Sequence, residues 1–300
     1  MMAMIQSVIK NEEKIISQVE QKSINYSRWL ITTIERKNYL SISRCNDVDY
    51  KEVLLTEEEA EVSSEELQNK LLKMAKSFAT QSNSGILIID FTMLIKSYSS
   101  SIEGVTYDRD GCSNRVEKGL SLEFAAWSNS QITIPVAFNN WRRKIELADS
   151  YKSKIDLAKE MILYLKEKIS FETVLMDGAF ASLEMITFCI GQKLYFALRI
   201  ARNRKVCING ISEQLQYHPS LRLYKNERSK TVKGYYKGIE LYFTAEKRKK
   251  KDGKWEVVFI VSNIDLPPKQ TVNLYKKRNL VESCFRTKKQ YIGLLDCQST

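Results

Sequence analysis

Seven segments between residues 84 and 200 alternate between two hydrophobic periods, and their order restricts the fold more than any other feature of this 300-residue chain. SGILIID (84–90), LSLEFAAWS (120–128) and QITIPVAF (131–138) are short apolar runs of the strand type, with Ser128-Asn129-Ser130 as the turn between the last two. Tyr151, Ile155, Ala158, Ile162, Leu165 and Ile169 then recur at three- and four-residue intervals, which predicts an amphipathic helix. A strand at TVLMD (173–177), a helix beginning near Ser182 and a strand at KLYFALRI (193–200) follow. Three strands, a helix, a strand, a helix and a strand imply an α/β domain built on a mixed sheet. Pro135 has no N–H to give a ladder, so its strand is expected at an edge or a bulge.

Two of these strands deliver a carboxylate at or near their C-terminal ends, Asp90 and Asp177. Aspartate also starts turns, so neither residue means much alone. A third acid lies in YKKRNLVESCFRTKK, where Tyr275, Arg278, Glu282 and Lys289 are spaced Y-x2-R-x3-E-x6-K. At roughly 100° per residue these four form one helical stripe about 60° wide. Leu274, Val281, Phe285 and Ile292 lie beside it, so the helix can bury one edge and turn the polar stripe to a cleft. A solvated face with an i,i+4 Arg–Glu pair has the same spacing. Taken together, Asp90, Asp177 and Glu282 are the oxygen donors that Mg²⁺ prefers, and two such ions can clamp both sides of a phosphoryl transfer.

The chain has a net charge of +11 and a pI near 9.2, and residues 199–254 alone carry +11. That block includes RIARNRK (199–205), with Arg202 and Arg204, and EKRKKKDGK (246–254), with Lys249 and Lys250. Tyr224, Tyr235, Tyr236, Tyr242 and Trp255 are interleaved with them. Cations neutralise phosphates and aromatic faces stack on bases, so a nucleic-acid surface fits; a solubilising hairpin tip with core aromatics is the plainer reading. The block reads as a β insertion at about 199–263, with strands at Lys205–Ile208, Leu221–Lys225, Gly238–Ala245 and Trp255–Ser262. Asp252-Gly253 predicts a type I′ hairpin turn, and Pro267-Pro268 resets the chain before the last helix. The core is then discontinuous, 81–198 plus 264–300, with the insertion projecting from it.

Residues 1–80 form a helical pattern, from Ile5 through Tyr26–Ile34 to Leu67–Phe78, with an acidic solvated linker at Asp47 to Glu66. Their net charge is −2, so a lid or dimer arm fits as well as a DNA-end-binding region. The single histidine, His218, falls in a predicted exposed loop, and the six cysteines include no C-x-x-C pair. Both facts argue against a zinc site or a histidine triad. Cys189, Cys207 and Cys284 sit in apolar stretches, as reduced thiols of a cytosolic protein do. A P-loop, a membrane-length apolar run and an export signal are absent from the sequence.

The order D…D…E, the contexts IIDFT and LMDGAF, and the Y-x2-R-x3-E-x6-K signature resemble bacterial insertion-sequence DDE transposases, in particular the cut-and-paste group with a β-rich insertion before the glutamate. The resemblance runs from about 84 to 292, with a weaker echo at NYSRWL (25–30). It implies a ribonuclease-H-like mixed sheet as catalytic core, with Asp90 and Asp177 on neighbouring strands. It also implies Mg²⁺ or Mn²⁺, two ions held by Asp90, Asp177 and Glu282, and contacts from Tyr275, Arg278 and Lys289 to phosphates near the cleaved end. The partners implied are double-stranded DNA, as terminal inverted repeats and target, and a second copy in a synaptic complex at the bacterial nucleoid. Relatives carry further helices after the position of Lys289, so a truncated transposase acting as a DNA-binding regulator or inactive remnant stands as the alternative.

Overall fold

The computed structural model of the protein describes residues 39–49, 51–53, 64–79, 85–99, 102–111, 113–129, 131–250 and 252–282. Its strands are β1 (Ile86–Ile95), β2 (Thr106–Arg109), β3 (Val116–Ser128), β4 (Thr133–Trp141), β5 (Thr173–Met176), β6 (Tyr195–Ile200), β7 (Lys205–Ile208), β8 (Ile211–Gln214), β9 (Ser229–Tyr236), β10 (Ile239–Lys249) and β11 (Trp255–Ser262). They form one sheet in the order β2-β3-β1-β5-β6-β11-β10-β9-β7-β8, with β4 also paired to β3. The helices are α1 (Tyr39–Asn46), α2 (Ser64–Ala79), α3 (Lys144–Leu147), α4 (Lys154–Lys168), α5 (Leu183–Gly191) and α6 (Pro268–Lys276).

The centre of the sheet is where the apolar runs are densest. β1 pairs parallel with β5, and β5 pairs parallel with β6, so both faces of these strands must be covered. One face carries Leu87, Ile89, Trp127, Val174, Met176 and Leu198. It packs under Leu72 and Ala75 of α2, Ala158, Ile162 and Leu165 of α4, and Met185 and Ile186 of α5. The other face carries Ile86, Ile88, Ala126, Leu175, Ala197 and Ile260, covered by Val272, Tyr275 and Val281. The helix starts are local: the Ser153 hydroxyl accepts from the Asp156 N–H at 3.1 Å, and the Ser182 hydroxyl accepts from the Met185 N–H at 3.1 Å. Pro135 occupies both of its allowed settings, on a strand paired only to β3 and at the register shift where Ala125 and Ala126 face Ala137 and Pro135.

Several expectations change. β1 does not stop at Asp90 but runs to Ile95, because β3 continues to pair with it from Phe91↔Glu123 to Ile95↔Gly119 after β5 has ended. Residues 221–225 form no strand; Pro219 starts a 3-10 turn, Pro219–Leu221, that plugs Leu221 into the core at 3% exposure. His218 is buried, not exposed: Nδ1 accepts from the Ser220 N–H and Nε2 bonds the Ile211 carbonyl at 3.1 Å. The Asp252-Gly253 turn is closed by the Gly253 N–H to the Lys250 carbonyl, and Gly253 but not Asp252 has positive φ, so it is not type I′. Type I′ turns sit instead at Asn209-Gly210 (φ 52 and 78) and Lys237-Gly238 (φ 50 and 85).

The basic insertion is hydrogen-bonded into the core sheet rather than projecting from it, since β11 pairs with β6 from Phe259↔Ile200 to Ser262↔Ala197. Part of the expected acidic linker is also ordered: residues 51–53 are helical and Val53 is fully buried. The expected helices within 1–38, including NYSRWL, lie outside the described residues. So do Lys289, Phe285, Ile292 and Cys284. Among the described residues, no helix is long and apolar enough to cross a membrane.

Candidate active site

Asp90 is the buried anchor of the site. Strand alternation turns it to the same face as Ile86 and Ile88, leaving it 8% exposed. Asp177 follows β5 directly and caps the 3-10 turn Gly178–Phe180, its Oδ1 accepting from the Ala179 N–H at 2.7 Å. The parallel register pairs Ile89 with Met176 and Met176 with Leu198. One step further along each strand stand Asp90, Asp177 and Arg199, a row of two acids and a cation across three neighbouring strands. This row marks the C-terminal end of the parallel pairing, the usual place for ligands on α/β sheets.

The signature segment closes the site. It is not one unbroken helix: α6 ends at Lys276, and residues 279–282 are helical again after a tightened turn. Three-residue hydrogen bonds from Arg278 to Tyr275 and from Val281 to Arg278 draw the turn in. Arg278 Nη1 donates to Asp90 Oδ2 at 2.6 Å and Nη2 donates to Glu282 Oε1 at 2.7 Å. One guanidinium thus joins the first and third acids across 188 residues of chain. Its Nε–H is buried and has no hydrogen-bond partner among the described residues. Tyr275 is 5% exposed among Ile88, Leu175 and Val272, beneath the site rather than on the open side of it.

The electrostatics follow from this crowding. Burial raises the Asp90 carboxyl to about 6, with Arg278 pulling it down and Asp177 and Glu282 pushing it up. Burial also raises the Tyr275 phenol. Burial works against the Arg278 charge, yet Asp90, Tyr275 and Glu282 hold its pKa above the ordinary value. Asp90, Asp177 and Glu282 therefore interact as one group of acids around one arginine. Their donor set is all oxygen, which fits a hard divalent cation. Among the described residues no three acids converge closely enough to form a ready metal cage, and the Arg278 guanidinium bridges Asp90 and Glu282.

Two further cations face this site. The Arg199 side chain is exposed beside Gly178, where an added Cβ would stand 3.9 Å from its Cβ and Cγ. Arg248 shares that face, held at 2.6 Å by Glu246, whose other oxygen binds Lys276 of α6 at 3.0 Å. Neither was singled out by spacing, although equal counting along β5 and β6 aligns Arg199 with Asp177. The cations that the sequence marks within the basic block lie elsewhere and are exposed: Arg202 and Arg204 between β6 and β7, Lys249 and Lys250 at the end of the β10–β11 hairpin.

The family model described as Transposase DDE domain matches residues 145–300. The chain belongs to that family. The matched span contains Asp177 and the segment from Tyr275 onward, while Asp90 precedes it. No curated protein matches the chain. Membership accounts for the sheet, which is the mixed ribonuclease-H-like core of a DDE transposase, and makes DNA the substrate of this transposase domain.

Proposed function

We propose that the chain cuts transposon ends in a divalent-metal-dependent reaction and joins them to target DNA. The observation that carries this reading is the row Asp90–Asp177–Arg199, closed by the Arg278 bridge to Glu282. Asp90, Asp177 and Glu282 would hold Mg²⁺ or Mn²⁺, which supplies Lewis-acid stabilisation at a scissile phosphate when bound. Arg278 provides the positive charge that lets Asp90 stay buried beside two other acids. Tyr275 anchors the segment in the core beneath the site. Arg199 and Arg248 extend the phosphate track along the same face, and Lys289 of the signature, which lies outside the described residues, is assigned to phosphate by its spacing alone. Bringing two ends together calls for two copies, so we read the working form as a homodimer on nucleoid DNA. Residues 1–80 would serve as an accessory region for end binding, and the basic strands of 199–263 as a further DNA surface.

The test is a cleavage assay with purified protein, Mg²⁺ or Mn²⁺, and a plasmid carrying the gene's native flanks. Nicks at the flank boundaries that vanish with chelator support the reading. Binding at those boundaries without cutting would support a DNA-binding regulator instead. A second prediction concerns the track: the double variant Arg199→Ala, Arg248→Ala lowers the log–log salt slope of DNA binding by about 2, at roughly 0.9 per lost phosphate contact. Its thermal midpoint should stay within a few degrees of the native protein. An unchanged slope would remove both residues from the interface.

A further inference from the structure

The basic block presents cations to both faces of the sheet. Arg248 and Arg199 share the Asp90 face with Ile260, as the pairs Arg248↔Glu256 and Ile260↔Arg199 require. Lys247 and Phe259 point the opposite way, with Phe243 and Ala245, onto the face packed by α4 and α5 nearer the centre. On that reverse face a cleft of about 530 Å³ opens between Arg202, Arg222 and Lys247, with Val257 and Phe259 as its floor. None of the three cations forms an ion pair with a described residue, and no acid lines the cleft. Lys247 Nζ has only the Tyr224 carbonyl, at 3.4 Å.

The cleft is built rather than incidental. The carbonyls of Arg202 and Arg204 accept from Gln216 and Leu215, each at 3.0 Å, strapping the turn after β6 to the loop after β8. Buried His218 holds that loop from both ring nitrogens, and Leu215 and Leu221 pin it into the core. The backbone that carries three cations on three separate elements is thereby held around one opening. Cations gathered without counter-charges recognise a polyanion, and their placement on separate elements fits successive phosphates of one strand better than a single compact ion.

We propose that this reverse-face cleft binds the phosphodiester backbone of a second DNA segment, distinct from the end held at Asp90. The proposal rests on the transposase reading, which supplies a reaction with more than one DNA segment to hold. DNA seated here lies on the far side of the sheet from the carboxylates, so the strand being cut cannot fill both places without wrapping the sheet edge.

The test is the number of duplexes bound per full-length chain, by sedimentation with a generic 20-base-pair duplex, together with the salt slope. Two per chain at low salt are expected. The variant Arg222→Glu, Lys247→Glu should bind one, with the slope reduced by about 2. Val257→Trp, which fills the floor and keeps every charge, should also bind one and guards against a folding defect in the charge reversal. Unchanged stoichiometry and slope in both variants would overturn the proposal. Deoxyadenosine monophosphate binding that the charge reversal abolishes, with duplex binding intact, would also overturn it and assign the cleft to free nucleotides. The Arg199→Ala, Arg248→Ala variant separates the two readings. Loss of a duplex there but not in the cleft variants sinks the second site alone, and the converse sinks the catalytic-face track alone.

Discussion

Glu282→Ala is expected to abolish DNA cleavage, by roughly a thousandfold or more, while DNA affinity changes by less than a few-fold. The reason for the asymmetry is in the geometry. Glu282 is half-exposed and its link to Arg278 is an i,i+4 pair, which contributes only about 0.3–0.5 kcal/mol to the fold. Its removal leaves Val281 buried and Arg278 still bonded to Asp90, so the segment stays docked. The chemistry, in contrast, loses one of three oxygen donors at the point where several kcal/mol of charge stabilisation are needed in the transition state. Gel-shift and single-turnover cleavage on the same duplex separate the two effects. Cleavage that survives in the variant would reject Glu282 as the third acid. Lost binding with intact cleavage per bound complex would instead make it a DNA contact.

Glu123→Met is expected to stabilise the protein by up to about 3 kcal/mol at pH 7. Glu123 is fully buried in β3 opposite Asn139, and among the described residues neither of its carboxylate oxygens has a partner with hydrogen-bond geometry. Burial raises its carboxyl from 4.5 to about 8, offset only in part by the Asn139 side chain and by Lys154. Lys154 is committed elsewhere, at 2.5 Å from Asp108 and over the rings of Phe91 and Trp141. A carboxyl whose folded pKa lies above its unfolded one must take up a proton to fold. The native protein therefore loses stability as pH rises from about 4.5 to about 8 and levels off above that. Each pH unit in that window is about 1.4 kcal/mol from this group. Methionine has a similar length and no charge to neutralise, so the variant should lose this slope. Urea melts above about pH 6, where Asp90 has already titrated, up to about pH 9 measure it, and a slope retained there in Glu123→Met would assign the pH dependence to another group.

Much of this protein is legible along the chain, because periodicity records which side of an element meets apolar surroundings. The apolar runs that became β1, β3, β5, β6 and β11, the caps at Ser153 and Ser182, and the start of α6 at Pro268 are all local facts. The type I′ turns at Asn209-Gly210 and Lys237-Gly238 were equally local, since each pairs a glycine with a residue at positive φ between strand-like runs. They also delimit the start of β8 and the end of β9. The three acids stand out along the chain at the ends of apolar runs and on a helical stripe.

The neighbourhood of those acids was decided by contacts between distant segments. Arg199 belongs beside Asp177 only because Met176 pairs with Leu198, and Asp177 beside Asp90 only because Ile89 pairs with Met176. A one-residue slip would turn Arg199 to the opposite face. Tyr275 has the spacing of an exposed stripe residue, yet it fills a gap between Ile88, Leu175 and Val272. His218 looks like a loop residue until the Ile211 carbonyl arrives as its partner. The division of the basic block into two cationic faces exists only once β10 and β11 pleat against each other. Sequence alone determined the elements, their apolar faces and the chemistry each one carries. Tertiary structure alone decided register and burial, because both depend on segments about ninety residues apart, whose pairing is chosen by the packing of the whole sheet rather than by any local preference.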